Sequence, residues 1–147
     1  MSDVVAQAWA LAQTLARKAR HHAGVAAPLL RRAARAAAAA IPVDRTCRTL
    51  TDGSPVSEDH REIDPATGQQ KGYVVLCAEE RAKGYVRPLR RSYKHLRCGA
   101  VTTMGLSIAE TYARDPGFYS GTFCCTCRTH FPLDQFVWEG TTERVGS

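Results

Sequence analysis

At 147 residues the chain has room for one modest core plus an appendage. It contains no run of about 18 apolar residues, so no membrane-spanning segment is expected, and residues 1–16 lack the charged start and small-residue cleavage site of a secretion signal. The net charge of +6 is uneven: residues 1–45 carry seven Lys or Arg against two Asp, and the remainder carries thirteen against twelve, so a basic arm and a near-neutral body are read separately.

In the arm, Val4, Ala8, Leu11, Leu15 and Ala19 recur at helical spacing and predict a helix over residues 3–22. Gly24 and Pro28 interrupt the pattern. Residues 28–40, PLLRRAARAAAAA, are rich in the best helix former and predict a second helix that Ile41-Pro42 ends. Residues 1–46 are expected to form a solvated helical arm, with a basic handle or a targeting peptide as competing readings. The arginines have no interleaved aromatic residues of the kind a nucleic-acid surface uses.

Residues 44–58 read as a polar linker with Cys47 as an isolated free thiol. The body, 47–147, becomes globular from residue 59. Strand-like sequence at 60–63 and 70–76 flanks Asp64-Pro65-Ala66-Thr67-Gly68, which predicts a hairpin. Cys77 stands three residues before Glu80, as a cap for a short helix ended by Gly84. Residues 85–89 read as an extended piece. Next, Arg87, Arg90, Arg91, Lys94 and Arg97 surround Tyr93, an alternation of charge and stacking surface that makes a candidate nucleic-acid site. The competing reading is a basic segment balanced by Glu79, Glu80 or Glu110.

Leu106, Ile108, Ala109 and Tyr112 predict a helix, capped by Thr102 or Thr103 or by the Ser107-x-x-Glu110 box and stopped at Asp115-Pro116-Gly117. Residues 118–123 read as a strand, 132–135 as a bend and 136–138 as the returning strand of a small hairpin. The last nine residues read as loose. The predicted class is α+β: a small zinc-ribbon-like hairpin and short helices behind an Ala/Arg-rich helical arm.

The chemistry concentrates at the tip of that hairpin. Cys124-x-x-Cys127 places two thiols where they can share a tetrahedral metal, and His130 follows at the same interval. Cys98, in the turn-like Arg97-Cys98-Gly99, completes a set of Cys98, Cys124, Cys127 and His130 for one structural zinc ion. Two alternatives stay open: Cys125 in place of Cys124, and His95-x-x-Cys98 in place of the pairing with His130. Clustered cysteine and histidine without a secretion signal favours metal over disulfides. His60-Arg61-Glu62 ahead of Cys124-x-x-Cys127 imitates a zinc deaminase signature, but Phe123 stands at the proline position and the gap is very long. Four protein ligands leave no open metal position, so a non-catalytic protein without a small-molecule substrate is expected.

The phrases GQQKGYVVL, ERAKGYVRPLRRSYKH, CGAVTTMG, IAETYARDPGFY and FCCTCRTHFPLDQFVWEGT resemble a family of small zinc-ribbon-like proteins of tailed bacteriophages and related bacterial elements, over about residues 52–142. The resemblance implies that Cys98, Cys124, Cys127 and His130 occupy the family's cysteine and histidine positions, and it implies no known activity. It also implies a bacterial cytoplasmic setting and a host or phage protein partner, with direct nucleic-acid binding through residues 85–97 as the alternative.

Overall fold

Helices and three small antiparallel sheets make up this α+β protein, whose computed structural model describes Gly24 and residues 27–147. The helix expected over 3–22 lies outside the described residues. Residues 27–39 form α1. The body follows with β1 (Arg48–Leu50), β2 (Val74–Leu76), α2 (Ala78–Arg81), β3 (Ser92–His95), β4 (Val101–Thr103), α3 (Leu106–Arg114), β5 (Gly121–Cys124), β6 (Thr129–Pro132), a 3-10 turn (Leu133–Gln135) and β7 (Phe136–Trp138). Among the described residues, no helix is long and apolar enough to cross a membrane.

β1 pairs with β2, β3 lies between β4 and β7, and β5 pairs with β6, all antiparallel. The expected hairpin between residues 118–123 and 136–138 is therefore replaced by two pairings. Chain reversal at the cysteine turn brings Thr129–Pro132 back along β5, so Phe136–Trp138 is free to pair with β3. The 60–76 hairpin is reduced to a single bridge, Ile63 to Gln70, around a turn in which Asp64 Oδ1 accepts the Ala66 N–H. Its apolar half, Val74–Leu76, pairs instead with β1, inside the segment expected to be a linker. Residues 85–89 form no strand; the Val86 and Arg87 amides both donate to the Ala113 carbonyl.

The core gathers Tyr93, Met104, Ala109, Tyr112, Cys124, Phe136, Trp138 and Val145. α3 contributes through its 3.6-residue period, which buries Ala109, Tyr112 and Ala113 on one side. It begins one residue after Gly105 without a side-chain cap: Thr102 and Thr103 belong to β4, Ser107 lies within the helix, and Glu110 pairs with Arg81. Thr111, fully buried, accepts the Leu76 amide and donates to the Ser107 carbonyl, tying β2 to α3. The C-terminal residues pack as part of the body. The Val145 amide donates to the Phe136 carbonyl, and burial of Val145 covers the end of β7.

Cys47 and Cys77 form a disulfide, with 5.3 Å between their Cα atoms, so Cys47 is not a free thiol. Cys77 stands at the start of α2 as expected, but its sulfur makes no capping bond. The signal was invisible in sequence because β1–β2 pairing, which brings the two residues together across a separation of 30, was itself unread.

A buried ion pair fastens α1 to the body. Arg114 and Glu80, each 1% exposed, lie 3.1 Å apart. The remaining guanidinium donors go to the carbonyls of Ala38, Ile41 and Pro42, at the end of α1 where a cation also suits the helix dipole. Gly84, at φ 112°, lets Ala38 approach closely enough that a Cβ there would crowd it. Burial pushes the Glu80 carboxyl up, but bonds from Lys83 and Arg114 more than reverse this and hold it below its ordinary value. A carboxylate held low in the fold adds stability above its ordinary titration range and loses it as pH falls through the lowered value.

Arg114→Ala is expected to lower stability by about 3–5 kcal/mol, because it strands a buried carboxylate and uncaps α1. Urea midpoints at neutral pH measure this, and Arg114→Lys should recover little of it, since one ammonium cannot reach Glu80 and three carbonyls together.

Candidate metal centre

Two turns of the same design face each other across the sheets. One leaves β3 at His95 and reads His95-Leu96-Arg97-Cys98-Gly99; the other leaves β5 at Cys124 and reads Cys124-Cys125-Thr126-Cys127-Arg128. In each, the amide of the fifth residue donates to the carbonyl of the first at 2.8 Å. Each fifth residue is left-handed, Gly99 at φ 76° and Arg128 at φ 54°. The first and fourth side chains of both turns consequently converge.

The point of convergence holds His95, Cys98, Cys124 and Cys127, whose ligand atoms all lie within 4.8 Å of one another. His95 Nδ1 is 3.2 Å from Cys98 Sγ and 3.6 Å from Cys127 Sγ, and Cys98 Sγ is 3.6 Å from Cys124 Sγ. With metal–sulfur bonds of ~2.3 Å and a metal–nitrogen bond of ~2.0 Å, a tetrahedron separates its ligands by about 3.5–3.8 Å. Three sulfurs and one imidazole nitrogen therefore fit a closed structural metal site. His95 is oriented for it: Nε2–H donates to Gln135 Oε1 at 3.0 Å, leaving the Nδ1 lone pair for the metal. Its ring stacks against Phe131 and Phe136, at centroid distances of 4.6 and 4.7 Å.

The electrostatics of the cluster call for a cation. The Ala100 amide, helped by His95 and opposed by a desolvation effect, lowers the exposed Cys98 thiol to about 7. Burial and the neighbouring Cys124 and Cys98 sulfurs push the Cys127 thiol up to about 11. Three thiolates at these separations repel one another unless a multivalent cation is shared between them.

Cys98, Cys124 and Cys127 thus come together as expected, but the imidazole is His95 and not His130. Alternation along the strands explains the exchange. Cys124 faces the cluster while its neighbour Phe123, paired with His130 across β5–β6, faces away. His130 stacks near Phe123, and its Nε2 is 3.0 Å from the Tyr73 hydroxyl; burial lowers its affinity for a proton. Cys125 also points away, its amide donating to Thr102 Oγ1 and its thiol to the Val101 carbonyl. The equal spacing of His95-x-x-Cys98 and Cys124-x-x-Cys127, with a glycine closing the first, is the sequence signal for the correct pairing.

The basic segment does not form the expected strip. Tyr93 is 2% exposed, because β3 alternates and turns it into the core; its hydroxyl donates to the Phe123 carbonyl, and burial pushes it up to about 12. It offers no stacking face. Arg87 donates to the Ser147 carbonyl and Arg91 to the Met104 carbonyl. Arg90 pairs with Glu143 and lies 5.6 Å over the Trp138 ring. Its partner is thus a different acid from the Glu79, Glu80 or Glu110 considered from sequence. Lys94 and Arg97 remain exposed.

No protein-family model, curated protein or solved structure matches the chain.

His95→Ala should reduce metal content from about one ion per chain to a small fraction, whereas His130→Ala and Cys125→Ser should retain it. Elemental analysis of protein purified in reducing buffer makes the comparison. Because binding requires deprotonated thiols, lowering the pH from 7 towards 5 should release the metal together with cooperative structure.

Proposed function

We propose that this chain is a non-catalytic binding module closed by one structural zinc ion, with a host or phage protein as its partner. The observation that carries the reading is the completed Cys3His set: four protein ligands leave no position at which a water or substrate could be activated. Two facing knuckles, one at the tip of a short hairpin, also support the zinc-ribbon-like description. A bacterial cytoplasmic setting belongs to the same proposal; there the Cys47–Cys77 pair would meet a reducing environment, in which disulfides are uncommon.

A protein partner is favoured by what the surface leaves uncovered. Arg87, Arg90 and Arg91 are turned to internal acceptors, while Leu89, Leu96, Val101 and Leu106 are 42–49% exposed. Leu96 lies within the first knuckle, and Val101 opens β4 just beyond it. The second reading, nucleic-acid binding through residues 85–97, retains Lys94 and Arg97 as exposed cations.

The Leu96→Asp/Val101→Asp protein should keep its metal and fold yet lose the partner captured by the intact chain from host lysate, with capture by the intact chain surviving moderate salt. Arg90→Glu/Arg91→Glu should lower stability by about 1–2 kcal/mol, since it places a carboxylate against Glu143 and removes the cation from Trp138. Equal stability accompanied by loss of salt-sensitive DNA or RNA binding would favour the second reading.

A further inference from the structure

Away from the metal centre, a cleft of about 1340 Å³ is lined by residues from segments 45–81 and 93–130. Its charge is one-sided. Four arginines and two histidines line it, and no Asp or Glu does. Two of those arginines are committed, Arg45 to Asp115 and Arg81 to Glu110. Arg48 and Arg61 are exposed and, among the described residues, have neither an ion-pair nor a side-chain hydrogen-bond partner. His60 uses Nδ1 on the Ser57 carbonyl, which leaves Nε2 open. With Asp115 and Glu110 neutralised by Arg45 and Arg81, the unpaired Arg48 and Arg61 leave a wall that attracts an anion.

The same cleft presents aromatic surface. Phe118 and Tyr119, both half-buried, line it and meet edge to face at 4.8 Å, with Tyr73 also on the lining. Aromatic faces beside free guanidinium groups suit a ligand that is planar at one end and anionic at the other. An acidic peptide would use the cations and leave the rings idle.

We propose that this cleft binds a nucleoside phosphate, with its base against Phe118 and Tyr119 and its phosphate at Arg48 and Arg61. The nucleotide is either free or part of a single strand; the shared chemistry is the base with its phosphate. The proposed contacts lie outside residues 85–97, of which only the Tyr93 side chain reaches the lining, and they do not depend on the protein-partner reading.

Calorimetric titration of the full-length, metal-loaded chain with adenosine monophosphate, hexathymidylate, inorganic phosphate and hexaglutamate tests the assignment. Adenosine monophosphate or hexathymidylate should bind, at least tenfold more tightly than inorganic phosphate or hexaglutamate. Tighter binding of the monophosphate identifies the free nucleotide as the source, and tighter binding of the hexamer identifies a strand. Arg48→Glu/Arg61→Glu, at exposed positions, should weaken binding at least tenfold and make the hexamer's log–log salt slope shallower by about 1.4. Phe118→Ala should weaken nucleotide binding without affecting the weaker binding of phosphate, and Arg31→Glu/Arg35→Glu on α1 should change nothing. The assignment is overturned if neither nucleotide binds at millimolar concentration. It is equally overturned if the Arg48/Arg61 reversal leaves affinity unchanged in a folded, metal-loaded protein, or if hexaglutamate binds as tightly as the nucleotides.

Discussion

Four side chains from two turns, brought to one point, decide how the rest of this body is arranged. His95 and Cys98 leave the β3–β4 turn, Cys124 and Cys127 leave the β5–β6 turn, and 26 residues separate Cys98 from Cys124. None of the three sheets exceeds three strands, and isolated two-stranded hairpins are marginal in water. A cation held by the four would compensate by joining the sheet that contains β3 to the hairpin that contains β5. The aromatic packing runs through that junction: Phe131 comes from β6 and Phe136 from β7, and both stack against the His95 ring. Cys124 belongs both to the cluster and to the hydrophobic core, so the two meet at β5.

The two knuckles also show what the metal site demands of the backbone. Each needs a left-handed fifth residue to return an amide to the first carbonyl. Glycine supplies this at position 99 without strain, whereas Arg128 bears a penalty of roughly 1–2 kcal/mol for a side chain in that conformation. Two contacts offset the penalty. The Arg128 guanidinium donates to the Ala66 carbonyl, and Gly68, at φ 76°, lies so close to the Arg128 carbonyl that no Cβ could be added there. The turn at 64–68 is thus docked against the second knuckle, and the reach of Arg128 links the metal site to the segment that forms one side of the cleft.

Local chemistry was legible in the sequence to the extent that it depended on neighbours in the chain. The Asp115-Pro116 stop of α3, the Cys77 position at the head of α2 and the bend after Pro132 all follow from residues within a turn of one another. Pairings that cross the chain were not legible. Val74–Leu76 is as apolar a strand as the sequence contains, yet its partner is the polar Arg48–Leu50, so neither the β1–β2 ladder nor the Cys47–Cys77 disulfide announced itself. Cys124 and Cys127 were readable because thiols at a two-residue interval are rare, and Cys98 because it sits in the turn-like Arg97-Cys98-Gly99. The fourth was ambiguous for a definite reason: His95 and His130 lie at the same interval from a cysteine, and only the pleat of β5–β6 turns His130 away. The same alternation took Tyr93 out of the basic segment, a change of face that composition cannot register.

Metal centre and cleft are distinct sites, but the fold does not leave them independent. Thr102 and Phe123 line the cleft, and both adjoin the clasp: Phe123 precedes Cys124 on β5, and Thr102 Oγ1 accepts the Cys125 amide. Tyr73, on the same lining, reaches His130 on the outer face of that hairpin. Without the clasp, β4 and β5 would be held beside each other mainly by the Thr102 bond and the packing of Tyr93 beneath them. Such contacts are weak compared with a structural metal site, whose binding free energy is folding free energy. With a metal bound at the clasp, a ligand in the cleft would meet a surface already ordered, with little ordering left to oppose its affinity.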